Sequence, residues 1–500
     1  MKLMARHIAE HDDLFDQYDF GKSFDEMLSS LNQPRESYRK LFNFFKTLSL
    51  DNFHERVSLA ELAFVTNGVT FTLKADEGGL EKIIPFDIVP RIIHALEWKV
   101  IEKGLKQRIR ALNLFLTDIY HDQHIINDGI LPKSILSNSL YCKEMQGVSI
   151  PGNIYTHIAG IDLIRDDQGT FRVLEDNLRC PSGVSYVLEN REVLQRVLPE
   201  MFAEHAVRPV DEYPRHLLSC LSSLAVDVTN PTVVLLSPGI YNSAYFEHSF
   251  LAAKMGIHLV EGGDLLVYDH KVFMKTTSGL ERVQVIYRRV DDEFLDPLTF
   301  RKDSLLGVAG LFEAYRRGNV VLANAIGNGV ADDKATYAFV PQMIQYYLNE
   351  KPLLPNVPTY FMSDAEQRNF VFENIKDMII KPTQGSGGYG MLLGHQTDED
   401  QKNDYFKKVL RNPNGFIAQN IVNLSCHPTF MTEEGALQPR HVDLRPFVLT
   451  DVTGNIHVMP GGLSRVAMVK DSLVVNSSQG GGGKDTWVLA DTKKNQGTKC

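Results

Sequence analysis

The spacing of the apolar residues between Gly160 and Asn177 constrains the fold of this 500-residue chain more than any other feature. In "GIDLIRDDQGTFRVLEDN" the apolar residues recur with a period of two on both sides of "DDQG", a sequence typical of turns. This pattern predicts a β-hairpin. We take Ile164 to lie opposite Phe171, which pairs Asp162 with Val173.

The predicted hairpin gathers polar side chains on one face. Cross-strand partners share a face, so Asp162, Glu175 and Asn177 project together, whereas Asp176 points away and is predicted to be solvated. Two carboxylates and an amide oxygen are hard ligands of the kind that magnesium takes beside the phosphates of a nucleotide. The alternative is a solvated hairpin face with unrelated charges. The opposite face would be apolar, with Ile161, Leu163 and Leu174.

Composition narrows the classes of function. The chain is 43% hydrophobic and carries 52 Lys and Arg against 62 Asp and Glu, a net charge of -10, which is ordinary for a globular protein with two or three cores. This balance gives no support to nucleic-acid or polybasic membrane partners and favours small molecules or proteins. The N-terminus lacks a signal-peptide core and no run is long enough to span a membrane, so we expect a cytoplasmic protein. The five cysteines are scattered without a Cys-x-x-Cys pair, which indicates reduced thiols.

The order of the patterns predicts an α/β (α+β) protein. The stretch from Pro90 to Tyr120 has helical periodicity without an internal proline, and "PTVVLLSPGIYNSAYFEHSFLAAKMGIHLV" predicts a βαβ unit. Further helices are predicted over Ser304 to Arg317 and Lys334 to Leu348. The predicted divisions are a helical N-terminal region at 1–130, the hairpin and its following helix at 131–229, a βαβ subdomain at 230–330, a part with glycine-rich hairpins at 331–490 and a polar tail at 491–500.

Two glycine runs are candidates for phosphate loops. "MIIKPTQGSGGYGMLL" matches G-x-G-x-x-G, but an apolar strand follows it where a dinucleotide-binding loop would open a helix. Strand, loop and strand suit a flap that covers phosphates through its backbone N–H groups, with the ammonium of Lys381 beside a phosphate. The alternative is a mobile hairpin tip. The same two interpretations stay open for the second run, "SSQGGGGKDTW".

Four arginines are placed as if for anions. Arg288 and Arg289 end an apolar strand, Arg445 lies on another, and Arg465 follows two glycines. Each could contact a phosphate or, alternatively, form an exposed salt bridge.

Taken together, these stretches resemble the ATP-grasp enzymes, and more narrowly the circularly permuted ATP-grasp proteins related to glutathionylspermidine synthetase. The resemblance covers about Gly160 to Leu489. An ordinary ATP-grasp domain presents its nucleotide lysines first and its Asp and Glu-x-Asn metal ligands last, whereas here the hairpin precedes the lysines. The matching stretches are "GIDLIRDDQGTFRVLEDNLRCPSGVSYVLENR", "VIYRRVDDEFLDPL", "NAIGNGVADDKA", "IIKPTQGSGGYG", "HVDLRPFVL", "GGLSRVA" and "VVNSSQGGGGKDTWVL".

The resemblance implies a circularly permuted ATP-grasp fold with a pre-ATP-grasp-like βαβ subdomain, and ATP and Mg²⁺ as cofactors. It implies metal ligation by Asp162, Glu175 and Asn177. Arg445, Arg465 and Lys381 would be catalytic, with the two arginines facing the transferred phosphate. The expected nucleotide contacts are Lys334, Lys381, Gly385, Ser386, Gly387, Gly388, Gln419, Asn420 and Val422. The expected substrate contacts are Arg179, Ser182, Arg288 and Arg289.

The reaction that the resemblance implies is ATP-dependent ligation of a small-molecule carboxylate to an amine through an acyl phosphate. Two alternatives stay open: a phosphotransferase on the same scaffold, and a nucleotide-binding partner protein without catalysis. The sequence identifies neither the acid nor the amine, and it does not predict an oligomeric state.

Overall fold

The computed structural model describes residues 14–15, 18–19, 21–72, 81–138, 140–385, 390–432, 434–476 and 479–491. Within them, the helices α1 to α15 are Arg39–Thr47, Leu50–Thr66, Ala95–Tyr120, His124–Asn127, Ser134–Asn138, Val184–Val197, Pro199–Glu204, Tyr213–Ser223, Tyr245–Met255, Leu311–Arg316, Gly329–Asp332, Lys334–Tyr337, Val340–Leu348, Ala365–Glu373 and Glu399–Arg411. None of these helices combines the length and the apolar character needed to cross a membrane.

The strands of the described residues are numbered β1 to β24 in chain order. They are Leu28–Ser30, Gln33–Pro34, Thr70–Thr72, Glu81–Ile83, Phe86–Ile93, Ile158–Arg165, Phe171–Asn177, Val233–Leu236, His258–Val260, Leu265–Tyr268, Lys271–Thr276, Gly279–Val283, Val285–Arg288, Val321–Ala323, Thr359–Phe361, Met378–Pro382, Leu392–Leu393, Phe416–Asn420, Cys426–Met431, Ala436–Arg445, Phe447–Thr450, Ile456–Val458, Leu463–Val466 and Gly482–Val488.

The predicted hairpin is present as β6 and β7 and lies inside the largest sheet. The strand order of that sheet is β22-β21-β6-β20-β23-β24-β5, with β7 paired to β6 and β19 to β20. Neighbouring strands are antiparallel except β24 and β5. Because β6 pairs with β7, β20 and β21, all its residues but the last, Arg165, are buried, including the charged Asp162.

A second, four-stranded antiparallel sheet, β15-β18-β16-β17, carries the first glycine loop. Strands β16 and β17 pair antiparallel on either side of this loop, so the predicted arrangement of strand, loop and strand is confirmed. A separate apolar cluster that includes Met378, Ile380 and Ala418 fills the underside of this sheet.

The predicted βαβ unit is confirmed by β8, α9 and β9, which belong to a parallel sheet of order β14-β13-β8-β9. Val233 and Leu235 face one apolar cluster while Val234 and Leu236 face another, as expected for a parallel sheet covered on both sides. The helix predicted between 90 and 120 is present but begins later than predicted: the residues up to Ile93 belong to strand β5, and α3 begins after His94, whose Nδ1 accepts from the Leu96 N–H at 3.2 Å.

Two helix predictions are wrong in their bounds. The segment from Ser304 is helical only from Leu311, because Gly310 adopts φ +82° at the start of α10. The segment from Lys334 is broken into α12 and α13. Proline lies in the first turn of α13, where its missing N–H costs nothing, and an uninterrupted helix would need that N–H.

Candidate functional site

The cavity of interest lies between the large sheet and the four-stranded sheet. The large sheet contributes Asp162, Glu175, Asp443 and Arg465, and apolar side chains such as Leu174 complete the wall. The four-stranded sheet and the segments beside it supply basic and amide groups to the same space: Lys334, Lys381, Gly385, Gln419, Asn420 and Val422.

The hairpin register differs from the prediction. Phe171 lies opposite Arg165 rather than Ile164, and a β-bulge between the two strands then places Asp162 directly opposite Glu175. The extra residue of the bulge is Leu174, which therefore lines the cavity and does not share the buried face of Leu163 as predicted. The predicted proximity of the two carboxylates is present, but through a different pairing.

The third predicted ligand, Asn177, pairs with Gly160 and so lies on the same face as both carboxylates. Its Nδ2 is buried and has no hydrogen-bond partner among the described residues. The prediction that Asp176 is solvated is wrong. Asp176 is buried, and both its oxygens accept from Arg108 of α3 at 2.6 Å. Burial raises the pKa of Asp176 in spite of this partner.

Two lysines reach the cavity from the other side. The Nζ of Lys381 donates to Oε1 of Gln419 at 2.7 Å. Burial lowers the pKa of Lys381 to about 8, and the nearby Glu175 only partly opposes this. The Nζ of Lys334 donates to the carbonyl of Gly385 at 2.7 Å and lies 3.7 Å from Oε2 of Glu175. Lys334 therefore connects the glycine loop of one sheet to the hairpin of the other.

The glycine loop needs unusual backbone angles at both ends. Gly385 has φ +103° and Gly390 has φ +73°, conformations that residues with a Cβ rarely adopt. The hydroxyl of Tyr405 donates to the carbonyl of Gly390 at 2.7 Å and holds the far end. The predicted contacts Ser386, Gly387 and Gly388 lie outside the described residues.

Four charged side chains, the half-buried Arg445 and the buried Asp162, Arg465 and Asp443, form an alternating chain along one face of the large sheet. The guanidinium of Arg445 donates to both oxygens of Asp162, at 2.5 and 2.8 Å. Nη2 of Arg465 donates to Asp162 at 2.7 Å and also to Asp443, which accepts from Nε of Arg465 at 3.0 and 3.1 Å. Burial alone would raise the pKa of Asp162, but the two arginines hold it well below its usual range.

The other predicted substrate contacts are not among the residues that line the cavity. Arg288 and Arg289 are buried and paired within the protein: Arg288 donates to the carbonyls of Asn324, Val290 and Ala325, and Arg289 donates through its two Nη atoms to the carbonyl of Pro181, to Tyr287 and to Glu247. Neither presents a free edge to an anion, so their placement contradicts the prediction.

Arg179 and Ser182 lie in the turn after the hairpin. Arg179 forms an ion pair with Asp332 at 3.1 Å and lies 3.5 Å from Asp291. Ser182 approaches the charged chain only through its carbonyl, which accepts from Arg445 at 3.3 Å.

The second glycine run leads into a strand of the large sheet. Its residues from Gly482 form the buried strand β24, and Lys484 pairs with Asp87 in the core. From Gly482 onward the run is therefore strand rather than loop, while Val475 and Asn476 just before it line the cavity and Ser477 and Ser478 lie outside the described residues.

Sequence reasoning missed Asp443. The residue lies two positions before Arg445 on β20, and the period of a strand places both on one face. That spacing in "HVDLR" is the signal that could have found it.

The hairpin donor set fits a divalent cation such as Mg²⁺. Asp162 and Glu175 offer carboxylates from neighbouring strands, and Asn177 offers an amide on the same face. The part of the chain that the structure describes contains no cluster of three or more His, Cys, Asp or Glu that could hold a metal ion. A cation here would therefore draw its remaining ligands from the Asn177 amide or from oxygens that the protein does not supply, such as phosphates.

Comparison with known proteins yields a family, relatives and a similar fold. A family model described as circularly permuted ATP-grasp type 2 matches residues 90–467. An uncharacterized protein of Synechocystis sp. is 51% identical over 94% of this chain and 98% of its own length. A putative glutamate–cysteine ligase 2-3 of Frankia alni is 40% identical over 93% of this chain, a match that covers 54% of that protein.

Among solved structures, the apo form of a glutathione synthetase-like effector from Globodera pallida superimposes with a TM-score of 0.55. The match covers 88% of this chain and 97% of that chain at 10% identity. A similarity at this identity concerns the fold alone.

Proposed function

Because the chain belongs to the circularly permuted ATP-grasp type 2 family, we propose that it is an ATP-dependent ligase that joins a small-molecule carboxylate to an amine through an acyl phosphate. One observation carries the proposal. The cavity between the two sheets brings two lysines, a glycine loop and an arginine together with the paired carboxylates Asp162 and Glu175. Family membership and the ligase name of the Frankia relative support ligation in general.

The nucleotide would lie along the four-stranded sheet. Lys334 and Lys381 are placed for its phosphates, because each extends an ammonium into the cavity and its hydrogen-bond acceptor is a neutral oxygen. Gln419, Asn420 and Val422 would line the adenine pocket at the end of β18, and the loop that starts at Gly385 would cover the phosphates with its backbone N–H groups.

Asp162, Glu175 and Asn177 would hold Mg²⁺. When bound, the ion neutralises charge on the phosphates and orients them for transfer. The remaining work falls to the chain's own residues. Arg465 would bind an oxygen of the transferred phosphoryl group through Nη1, because its Nε and Nη2 donate to Asp443 and Asp162, and Arg445 beside it would add positive charge.

The chemistry of the proposed reaction balances without a protein nucleophile. A carboxylate oxygen of the acid attacks the γ-phosphorus, and ADP leaves with the electrons of the broken bond. The amine then attacks the acyl carbon, inorganic phosphate leaves, and the amine loses a proton to give the amide. The protein positions the reactants and stabilises charge.

The first test measures the binding of Mg-ATP through the shift that it causes in the midpoint of thermal unfolding. We expect a higher midpoint with Mg-ATP for the parent protein and for the exposed-site control Glu366→Gln, and a smaller shift for Glu175→Gln. Equal shifts in all three proteins would refute the assignment of the nucleotide site.

The second test is release of inorganic phosphate from Mg-ATP, with L-glutamate as the first acid and a panel of amines that includes L-cysteine, because the Frankia relative is named as a glutamate–cysteine ligase. Phosphate release that requires both an acid and an amine supports ligation. A stable phosphorylated acid formed without an amine would identify a phosphotransferase, and Mg-ATP binding without turnover on any pair would favour the non-catalytic alternative.

A further inference from the structure

The carboxylate of Asp443 is completely buried, yet it lines the cavity beside Arg465. The two residues are direct cross-strand partners on β20 and β23. Asp443 is also opposite Ile164, which lies two residues from Asp162 on β6, so all these side chains share one face of the sheet.

The contacts of Arg465 divide its guanidinium into two parts. Nε and Nη2 are taken up by Asp443 and Asp162. Nη1 donates to none of the described residues. Two acids thus fix the plane of the guanidinium and leave one donor nitrogen for the cavity that Arg465 lines.

The position of Asp443 is itself fixed from behind. Its carbonyl accepts from Nη1 of Arg91 at 2.7 Å. Arg91 is fully buried and is held in turn by a bidentate pair with Glu26, at 2.6 and 2.7 Å. The orientation of Arg465 is therefore set by residues that reach into the N-terminal part of the chain.

Stability does not explain this arrangement. A buried ion pair is often replaced by well-packed apolar residues without loss of stability, because desolvation cancels much of the attraction between the charges. Burial raises the pKa of Asp443 in spite of its contact with Arg465, so keeping this carboxylate charged lowers the stability of the folded protein.

We infer that Asp443 is a positioning residue, which holds Arg465 so that one edge of its guanidinium faces the phosphoryl group in transfer. The inference depends on the proposed function. It assigns no contact with the nucleotide to Asp443 itself. Removing its negative charge should leave binding of the anionic Mg-ATP at least as strong as in the parent protein.

The experiment compares two probes on the intact chain by thermal unfolding and titration: Mg-ATP, and Mg-ADP with aluminium fluoride, which imitates a phosphoryl group in transfer. The parent and the exposed-site control Asp227→Asn should bind the aluminium fluoride complex more tightly than Mg-ADP by about tenfold or more, the factor that a charge-assisted hydrogen bond supplies. Asp443→Asn should retain Mg-ATP binding and lose this additional tightening.

Two further variants separate positioning from a general structural role. Arg465→Lys keeps the charge but loses the planar guanidinium, whose separate nitrogens contact the two acids and the cavity in a fixed plane, so it should show the same selective loss. The double variant Asp443→Asn with Arg465→Lys should lose no more than either single variant, because both act through one guanidinium. If Asp443→Asn does not fold, Arg465→Lys alone decides.

Several outcomes would overturn the inference. They are full retention of the additional tightening in Asp443→Asn or Arg465→Lys, additive losses in the double variant, and loss of Mg-ATP binding by Asp443→Asn. A parent that binds Mg-ATP without additional tightening overturns the inference and leaves nucleotide binding intact. A parent that does not bind Mg-ATP overturns the proposed function as well.

Discussion

Affinity for Mg-ATP should fall as the pH rises through about 8, because Lys381 loses its charge there. Its ammonium is buried and donates to Gln419, and burial lowers its pKa from 10.5 to about 8. Only the protonated side chain can attract a phosphate. The phosphates of Mg-ATP are fully ionised above pH 7.5, so the ligand contributes little to the change.

The size of the effect follows from this pKa. At pH 7 about nine in ten Lys381 side chains are charged, and at pH 9 about one in ten. If the neutral form binds the phosphates poorly, the dissociation constant rises about tenfold between these values, or about 1.4 kcal/mol. Without nucleotide the direction reverses: a lysine with a depressed pKa opposes folding while it is charged, so this group adds stability as the pH rises from about 8 towards 10.5.

Isothermal titration calorimetry of Mg-ATP binding between pH 7 and pH 9.5 measures the effect. Lys381→Met should bind weakly at every pH, and its affinity should not vary with pH over this range. The exposed-site control Lys376→Met should follow the parent. A parent whose affinity is the same at pH 7 and pH 9, or a Lys381→Met variant with the same slope as the parent, would refute the reasoning.

Three further substitutions test residues that support the fold or lie beside the site. Asp176→Asn leaves the buried charge of Arg108 without its counter-charge and should lower the free energy of unfolding by about 3–5 kcal/mol in urea titrations, whereas an unchanged midpoint would contradict the role of this pair. Asp25 has its pKa raised to about 6, mainly by burial, so the parent should lose roughly 2 kcal/mol of stability as the pH rises from 4 to 7, and Asp25→Asn should not; parallel profiles of melting temperature against pH would argue against this. In Gly160→Ala the new Cβ would lie 3.1 Å from the side chain of Arg445, so phosphate release should fall while Mg-ATP binding persists, and undiminished release would show that this close approach does not matter.

The sequence predicted those elements of the fold that form between residues close together in the chain. The hairpin, the βαβ unit and helix α3 are recognisable because their apolar residues recur with the period of the element and their turns contain turn-forming residues. The strand, loop and strand around Lys381 follow for the same reason. The resemblance of seven stretches suggested the family, and their order along the chain indicated the permutation.

The predictions that were wrong concern side-chain partners and strand pairing, which depend on contacts formed only in the folded protein. Arg288 and Arg289 end an apolar strand, as a phosphate-binding arginine could, but Arg288 donates to carbonyls more than thirty residues away and Arg289 donates to Glu247. The bulge at Leu174 was missed because it shifts the buried positions of β7 from Phe171 and Val173 to Asp176, and a charged residue at that position looks solvent-exposed in the sequence.

The charges around the cavity explain why the state of one lysine should matter so much. Asp162, Glu175 and Asp443 carry three negative charges, and Arg445, Arg465 and the two lysines carry four positive charges. Both arginines are engaged with acids, so the positive surplus available to a polyanion resides in the lysines. Lys334 shares its charge with Glu175 at 3.7 Å, whereas the partner of Lys381 is a neutral amide. Deprotonation of Lys381 therefore removes the whole surplus, and a cavity that attracts phosphates below pH 8 becomes electrically balanced above it.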